Sequence, residues 1–109
     1  MAGFYRMDFK GRASSGAGAI AIVNGKIAGI DMDGIIFNGS YKEEGDRLVG
    51  SMALKLPAAL QLVTGQVASA GSAISVPFDV DKGQLDGHEI SVTVGGRPAT
   101  ARLTKIADL

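Results

Sequence analysis

The chain has 109 residues, with 11 basic and 11 acidic side chains that cancel to a formal net charge of zero, and it contains no cysteine. That length builds one domain, residues 1–109, around a single core. The charge balance lacks the excess of Lys and Arg that nucleic-acid and anionic-membrane binding draw on, and the missing cysteines exclude disulfides and thiolate metal sites while fitting a reducing cytoplasm.

Period-two alternation runs down the whole chain, and each stretch that shows it predicts a strand. "GFYRMDFK" places Tyr5, Met7 and Phe9 on one side and Arg6, Asp8 and Lys10 on the other. Those charges also interrupt the apolar stretch that a signal peptide requires, so a cytoplasmic location is expected. "GRASSG" follows as a small-residue loop. "GRASSGAG" has the glycines of a phosphate-binding loop but lacks the Lys-Ser/Thr ending and leads into a strand, so no helix dipole would meet a phosphate.

Residues 18–31, "GAIAIVNGKIAGID", are expected to form a hairpin around Asn24 and Gly25, the pair that best tolerates the positive φ angles of a type I′ turn. The register follows: Val23 opposite Lys26, Ile22 opposite Ile27, Ala21 opposite Ala28, Ile20 opposite Gly29 and Ala19 opposite Ile30. One side then carries Ile20, Ile22 and Ile27 and the other Ala19, Ala21, Ala28 and Ile30. The longest apolar run, Ala17 to Val23, is too short to cross a bilayer as a helix.

"GIIFNGSY" predicts a fourth strand, apolar on both sides at Ile35, Ile36 and Phe37, and "KEEGD" an exposed turn. "RLVGSMALKL" sets Leu48, Met52, Leu54 and Leu56 against Arg47, Ser51 and Lys55. "PAALQLV" is expected to form one short helix, because Pro57 is preset for a first helical position and Ala and Leu favour continuation. "TGQVASAG" reads as irregular. In "AISVPFDV" the residues Ile74, Val76 and Phe78 alternate with Ser75, Pro77 and Asp79, and the proline assigns the strand to an edge or a bulge. A last hairpin, "HEISVTV" and "PATARLTKI" around Gly95 and Gly96, has wet faces at Glu89, Ser91 and Thr93 and at Thr100, Arg102 and Thr104.

About eight short strands at hairpin spacing point to an all-β protein, an up-and-down barrel in preference to a sandwich, because closure removes the exposed edges of so strand-rich a chain. The residues expected to face the interior are Tyr5, Met7, Phe9, Ile20, Ile22, Met52, Leu54 and Phe78, with Gly29 and Gly50 adding no side-chain volume. A barrel of this size is either filled by its own side chains or open to one small apolar ligand.

Several residues, taken in order, resemble the GrlR family of small negative regulators of bacterial type III secretion. They are Gly3, Phe4, Tyr5 and Phe9 in the first strand, then Gly16, Gly18, Asn24, Gly25, Gly29 and Asp31 around the hairpin. Gly39, Tyr41, the acidic turn from Glu43 to Asp46 and Pro57 continue the match, which covers residues 3–60, with Ile30 standing where the family's Gly-Gly-Asp end has its second glycine. The resemblance implies a lipocalin-like barrel that dimerises. It further implies a non-enzymatic role, the type member repressing secretion genes by binding their transcriptional activator.

Three candidate sites follow. Ala19, Ala21, Ala28 and Ile30, turned outward, would form a homodimer interface, against the plainer reading of a few exposed alanines. Glu43, Glu44 and Asp46 would steer a basic partner such as a DNA-binding activator, unless they are only a solvated turn. The barrel interior would hold a small hydrophobic molecule or lipid if it is not filled. No catalytic set assembles around the one histidine, His88, so no enzyme is expected. No metal site or cofactor is expected either: "DMDG" and "DVDKGQLDGHE" lack EF-hand spacing and read as turn carboxylates.

Overall fold

The computed structural model describes residues 2–109. Its ten strands are β1 (Gly3–Lys10), β2 (Ser15–Val23), β3 (Lys26–Asp31), β4 (Ile36–Glu44), β5 (Arg47–Lys55), β6 (Leu60–Gln61), β7 (Val67–Ala68), β8 (Ala73–Asp81), β9 (Glu89–Val94) and β10 (Arg97–Asp108). Eight of them form one antiparallel sheet in the order β8-β5-β4-β3-β2-β1-β10-β9, and β6 pairs with β7 alone. Every strand of the large sheet lies beside its neighbour in sequence, and β10 returns to β1, so the sheet winds up and down into a barrel. Closure is nearly complete. β8 and β9 lie against each other without a hydrogen-bonded register, and Pro77 sits on β8, the edge where its missing N–H does least harm.

The Asn24–Gly25 hairpin has the expected register at all of its pairs, from Val23 opposite Lys26 to Ala19 opposite Ile30, and Asn24 and Gly25 carry φ angles of 52° and 77°. Alternation sorts the faces as anticipated: Tyr5, Met7, Ile20, Ile22 and Leu54 are buried, and Phe9, Met52 and Phe78 pack half-buried against them. On β9 and β10 the residues Ile90, Val94, Ala99 and Leu103 point in, while Glu89, Ser91, Thr93, Arg102 and Thr104 are exposed.

One expectation fails outright. No helix forms at Pro57. Residues 57–63 form instead an irregular strap, bent at Pro57 and Ala58 and extended at Leu60–Gln61, that enters the short β6–β7 hairpin and crosses one mouth of the barrel. A two-turn helix would have to nucleate at a cost that seven residues do not repay. Extended chain covers about twice as much ground per residue and here buries Leu62 beneath it, with Leu56 buried just before. The strap is tied down as well: the Val63 carbonyl accepts from Ala13 N at 2.8 Å and Ser14 N at 3.2 Å, and Gln66 Nε2 donates to Gly95 O at 3.0 Å. The chain's helical turn lies elsewhere, a 3₁₀ turn at Lys82–Gln84 capped by Asp81, which leads Leu85 into the opposite mouth.

Gly29 and Gly50 add no side-chain volume, yet they do not open the interior. A Cβ on Gly50 would lie 2.1 Å from Ser40 O and 3.0 Å from Phe78 Cζ, so neighbouring backbone and a ring already occupy the space a side chain would take. The strands bend toward each other at these points, which is how so narrow a barrel coils.

Gly11 makes a close approach of another kind, since a Cβ there would meet the Val63 carbonyl oxygen at 2.5 Å and Thr64 N at 2.8 Å. Gly11→Ala is therefore expected to push the strap off the mouth while the sheet persists. Hydrogen exchange should rise at least about tenfold over residues 57–68 and stay unchanged in β2–β4; uniform protection in the variant would show that the strap does not rest on this contact.

Candidate functional site

The outer face of β1–β4 is the first candidate. Cross-strand pairing lines up Phe4, Ala21 and Ala28 in one row and Ala19, Ile30 and Ile36 in the next. Phe4, Ile30 and Ile36 are exposed, Ile30 to 49 %, and Met32 extends the patch past the end of β3 at 78 %. The sequence placed Ala19, Ala21, Ala28 and Ile30 here, and the structure brings all four together. It missed Phe4 at the margin, although the alternation that sets Tyr5, Met7 and Phe9 on one side of β1 puts Phe4 with Arg6 on the other. Arg6, bonded to Asp8 at 2.9 Å, and Lys55 bound the Ile30 row on its two sides.

Glu43, Glu44 and Asp46 lie exposed where β4 turns into β5, at the mouth opposite the strap. They are not a bare acidic knob. Glu43 pairs with Lys82 Nζ at 3.0 Å, which holds its carboxyl below the usual carboxylate range, and the Asp46 carbonyl accepts from Lys82 N at 2.8 Å. Arg47 bonds Asp79 on the adjoining strand.

The interior is the third candidate, and two chambers interrupt its packing. The larger, about 110 Å³, lies beneath the strap and is walled by Phe9, Ile35, Phe37, Leu54, Leu62 and Val63. Phe9 and Phe37 meet edge to face there, with ring centroids 6.4 Å apart. The smaller, about 70 Å³, reaches toward Leu85 between Ile20, Ile22, Ile27, Leu48 and Phe78. Met7, Met52, Val76, Val92 and Ala101 belong to both walls and so form the partition. Of the eight residues expected inside, Tyr5 alone touches neither chamber; it is buried toward the chain termini with Lys105 Nζ 6.0 Å from its ring centroid.

Asp31 is the residue whose role the sequence concealed. It is buried at 6 % exposure on the rim of the larger chamber, where its Oδ1 accepts from Asp33 N and Ile35 N, each at 2.9 Å. Burial raises its pKa, against the lowering effect of those two N–H donors. The other carboxylates of the "DMDG" and "DVDKGQLDGHE" stretches go separate ways: Asp81 caps the 3₁₀ turn, and Asp86 Oδ1 accepts from Lys105 N at 3.0 Å. Among the described residues no three His, Cys, Asp or Glu side chains gather in a metal-binding group, and His88 is exposed at a turn.

No protein-family model, no curated protein and no solved structure matches the chain. Its own geometry therefore carries the functional argument. Among the described residues no helix is long and apolar enough to cross a membrane.

Proposed function

We propose that this chain is a non-enzymatic regulatory binding protein of the GrlR type. In this reading it acts in the cytoplasm without a cofactor, pairs with a second copy of itself through the outer face of β1–β4, and lowers gene expression by sequestering a transcriptional activator. The observation that carries the proposal is the contiguous apolar surface formed by Phe4, Ala19, Ala21, Ala28, Ile30 and Ile36. The same molecule clothes most of β9 and β10 in Glu89, Thr93, Arg102 and Thr104, with Ile106 the exception, so an apolar row running across several strands stands out. A second copy suits it because small side chains let two sheets approach closely, and a two-fold contact sets each copy's isoleucines against the other's alanines.

Glu44 and Asp46 would then face the activator, where rim charges raise the association rate and are screened by salt. The interior favours this reading over a lipid carrier, since chambers of about 110 and 70 Å³ fall below the roughly 300 Å³ at which drug-sized ligand pockets begin.

Sedimentation tests the interface. A dimer is expected at micromolar concentration, and Ile30→Glu, which buries a charge only in the dimer, should weaken it at least about 30-fold. A wild-type monomer, or a dimer indifferent to the substitution, removes the proposed face. The regulatory half is tested by capture from native lysate: the bound protein should be a DNA-binding activator that purified barrel releases from its promoter, and capture without release would reject it.

A further inference from the structure

The larger chamber has a chemistry of its own, independent of what docks outside. Its wall is mainly aliphatic and aromatic, with Ser14, Ser15 and Gln61 as neutral polar members, and the only charged side chains on it are Asp31 and Asp33, both acidic and both at the turn between β3 and β4. No Lys, Arg or His lines either chamber. Across the mouth lies the strap, held by the paired hydrogen bonds to the Val63 carbonyl. The partition toward the smaller chamber includes two methionines, Met7 and Met52, whose unbranched side chains change shape at low cost.

From this we infer that the space beneath the strap is a binding site for a small uncharged apolar molecule, of the size of a single aromatic ring, and that Asp31 and Asp33 exclude anions of the same shape. An apolar cavity of about 150 Å³ suffices for benzene. The larger chamber of about 110 Å³ reaches that size once Met7 and Met52 yield toward the 70 Å³ beyond them. An anionic ligand would bring its charge beside Asp31 in a poorly solvated rim with no cation to pair it, and charges buried without partners are strongly disfavoured.

Methyl resonances of ¹³C-methionine read the site directly in the intact protein. Met7 and Met52 line the chambers, and Met32, exposed on the outer face, serves as the control. Toluene is expected to shift the Met7 and Met52 methyls with half-saturation below about 1 mM, leaving Met32 in place. Benzoate, the same ring with a carboxylate, should bind at least about 30-fold more weakly, and Asp31→Asn, which keeps the Oδ1 acceptor and removes the charge, should narrow that gap. Ala101→Leu, which adds volume at the partition, should abolish the toluene shifts; if that variant does not fold, the wild-type methyl map decides alone. Shifts confined to Met32, no shift at saturating toluene, equal binding of benzoate, or tighter binding of benzylamine than of toluene would each overturn the inference. None of these outcomes alters the sedimentation result, so this site and the proposed outer interface stand or fall separately.

Discussion

Replacing Gly50 with alanine is expected to cost the barrel about 3 kcal/mol or more, a large share of the roughly 5–15 kcal/mol that holds a domain folded. Gly50 faces inward on β5, between Tyr41 on β4 and Phe78 on β8. The added Cβ would stand 2.1 Å from Ser40 O and 2.8 Å from Tyr41 Cα, and backbone atoms cannot rotate out of its way. Relief would come only by spreading β4 from β5, which breaks the ladder, or by flattening the sheet, which opens the barrel. Gly45 supplies the comparison: nothing lies within 4 Å of its Cβ position, and its φ of 61° alone penalises alanine. Gly45→Ala should cost about 1 kcal/mol. Urea unfolding of the two variants checks the ranking, and comparable midpoints would show that the inter-strand approach at Gly50 is not the constraint described.

The second large effect is expected at Asp31. Asp31→Ala removes the acceptor for both Asp33 N and Ile35 N, and Ile35 is buried, so at least one donor is left without water or protein to bond. A loss of about 2–4 kcal/mol follows from stranding these groups. Asp31→Asn separates charge from hydrogen bonding, because Asn Oδ1 can accept both bonds. The Asp31 pKa is raised in the folded state, chiefly by burial, so between its ordinary value and the raised one the folded protein holds more protons at this position than the unfolded chain does. Stability from this group is fully present below its ordinary pKa and declines as pH rises through that window. The asparagine variant has no such decline. Its unfolding midpoint should therefore gain on the wild type as pH rises from below the normal aspartate range, and a difference constant with pH would contradict the assignment. The shift at Glu43 runs the other way, since pairing with Lys82 lowers its pKa and favours the fold at higher pH, but that carboxylate is exposed and well solvated.

Taken together, these residues divide the molecule into what is held by sheet geometry and what is held by turn chemistry. Gly50 matters because the barrel is narrow, and Asp31 because the turn beside the chamber must satisfy its donors away from water. Asp31 lines the larger chamber, whereas Gly50 lines neither and acts through the spacing of β4, β5 and β8.

Much of this was legible in the residues themselves. The strand-turn-strand register at Asn24–Gly25 depends on two residues tolerant of positive φ and on apolar alternation beside them, and both are local properties of the chain. The inward set from Tyr5 to Phe78 and the outward alanines with Ile30 follow from the same period-two rule, and the edge position of Pro77 from its missing N–H. Other features are invisible locally. "PAALQLV" has helical propensity, and only the barrel mouth, with Ala13 N and Ser14 N seeking an acceptor at Val63, makes the extended form the better one. Gly29 and Gly50 read as missing volume until neighbouring strands are seen to fill it. Asp31 is one turn carboxylate among several until the strands bury it. Sequence alone determined which side of β1, β2, β3, β5, β9 and β10 faces inward and where the first hairpin turns, because alternation and turn chemistry act over a few bonds. Tertiary structure alone decided the strap, the paired chambers and the buried carboxylate, because each depends on groups that meet only when distant strands close around one interior.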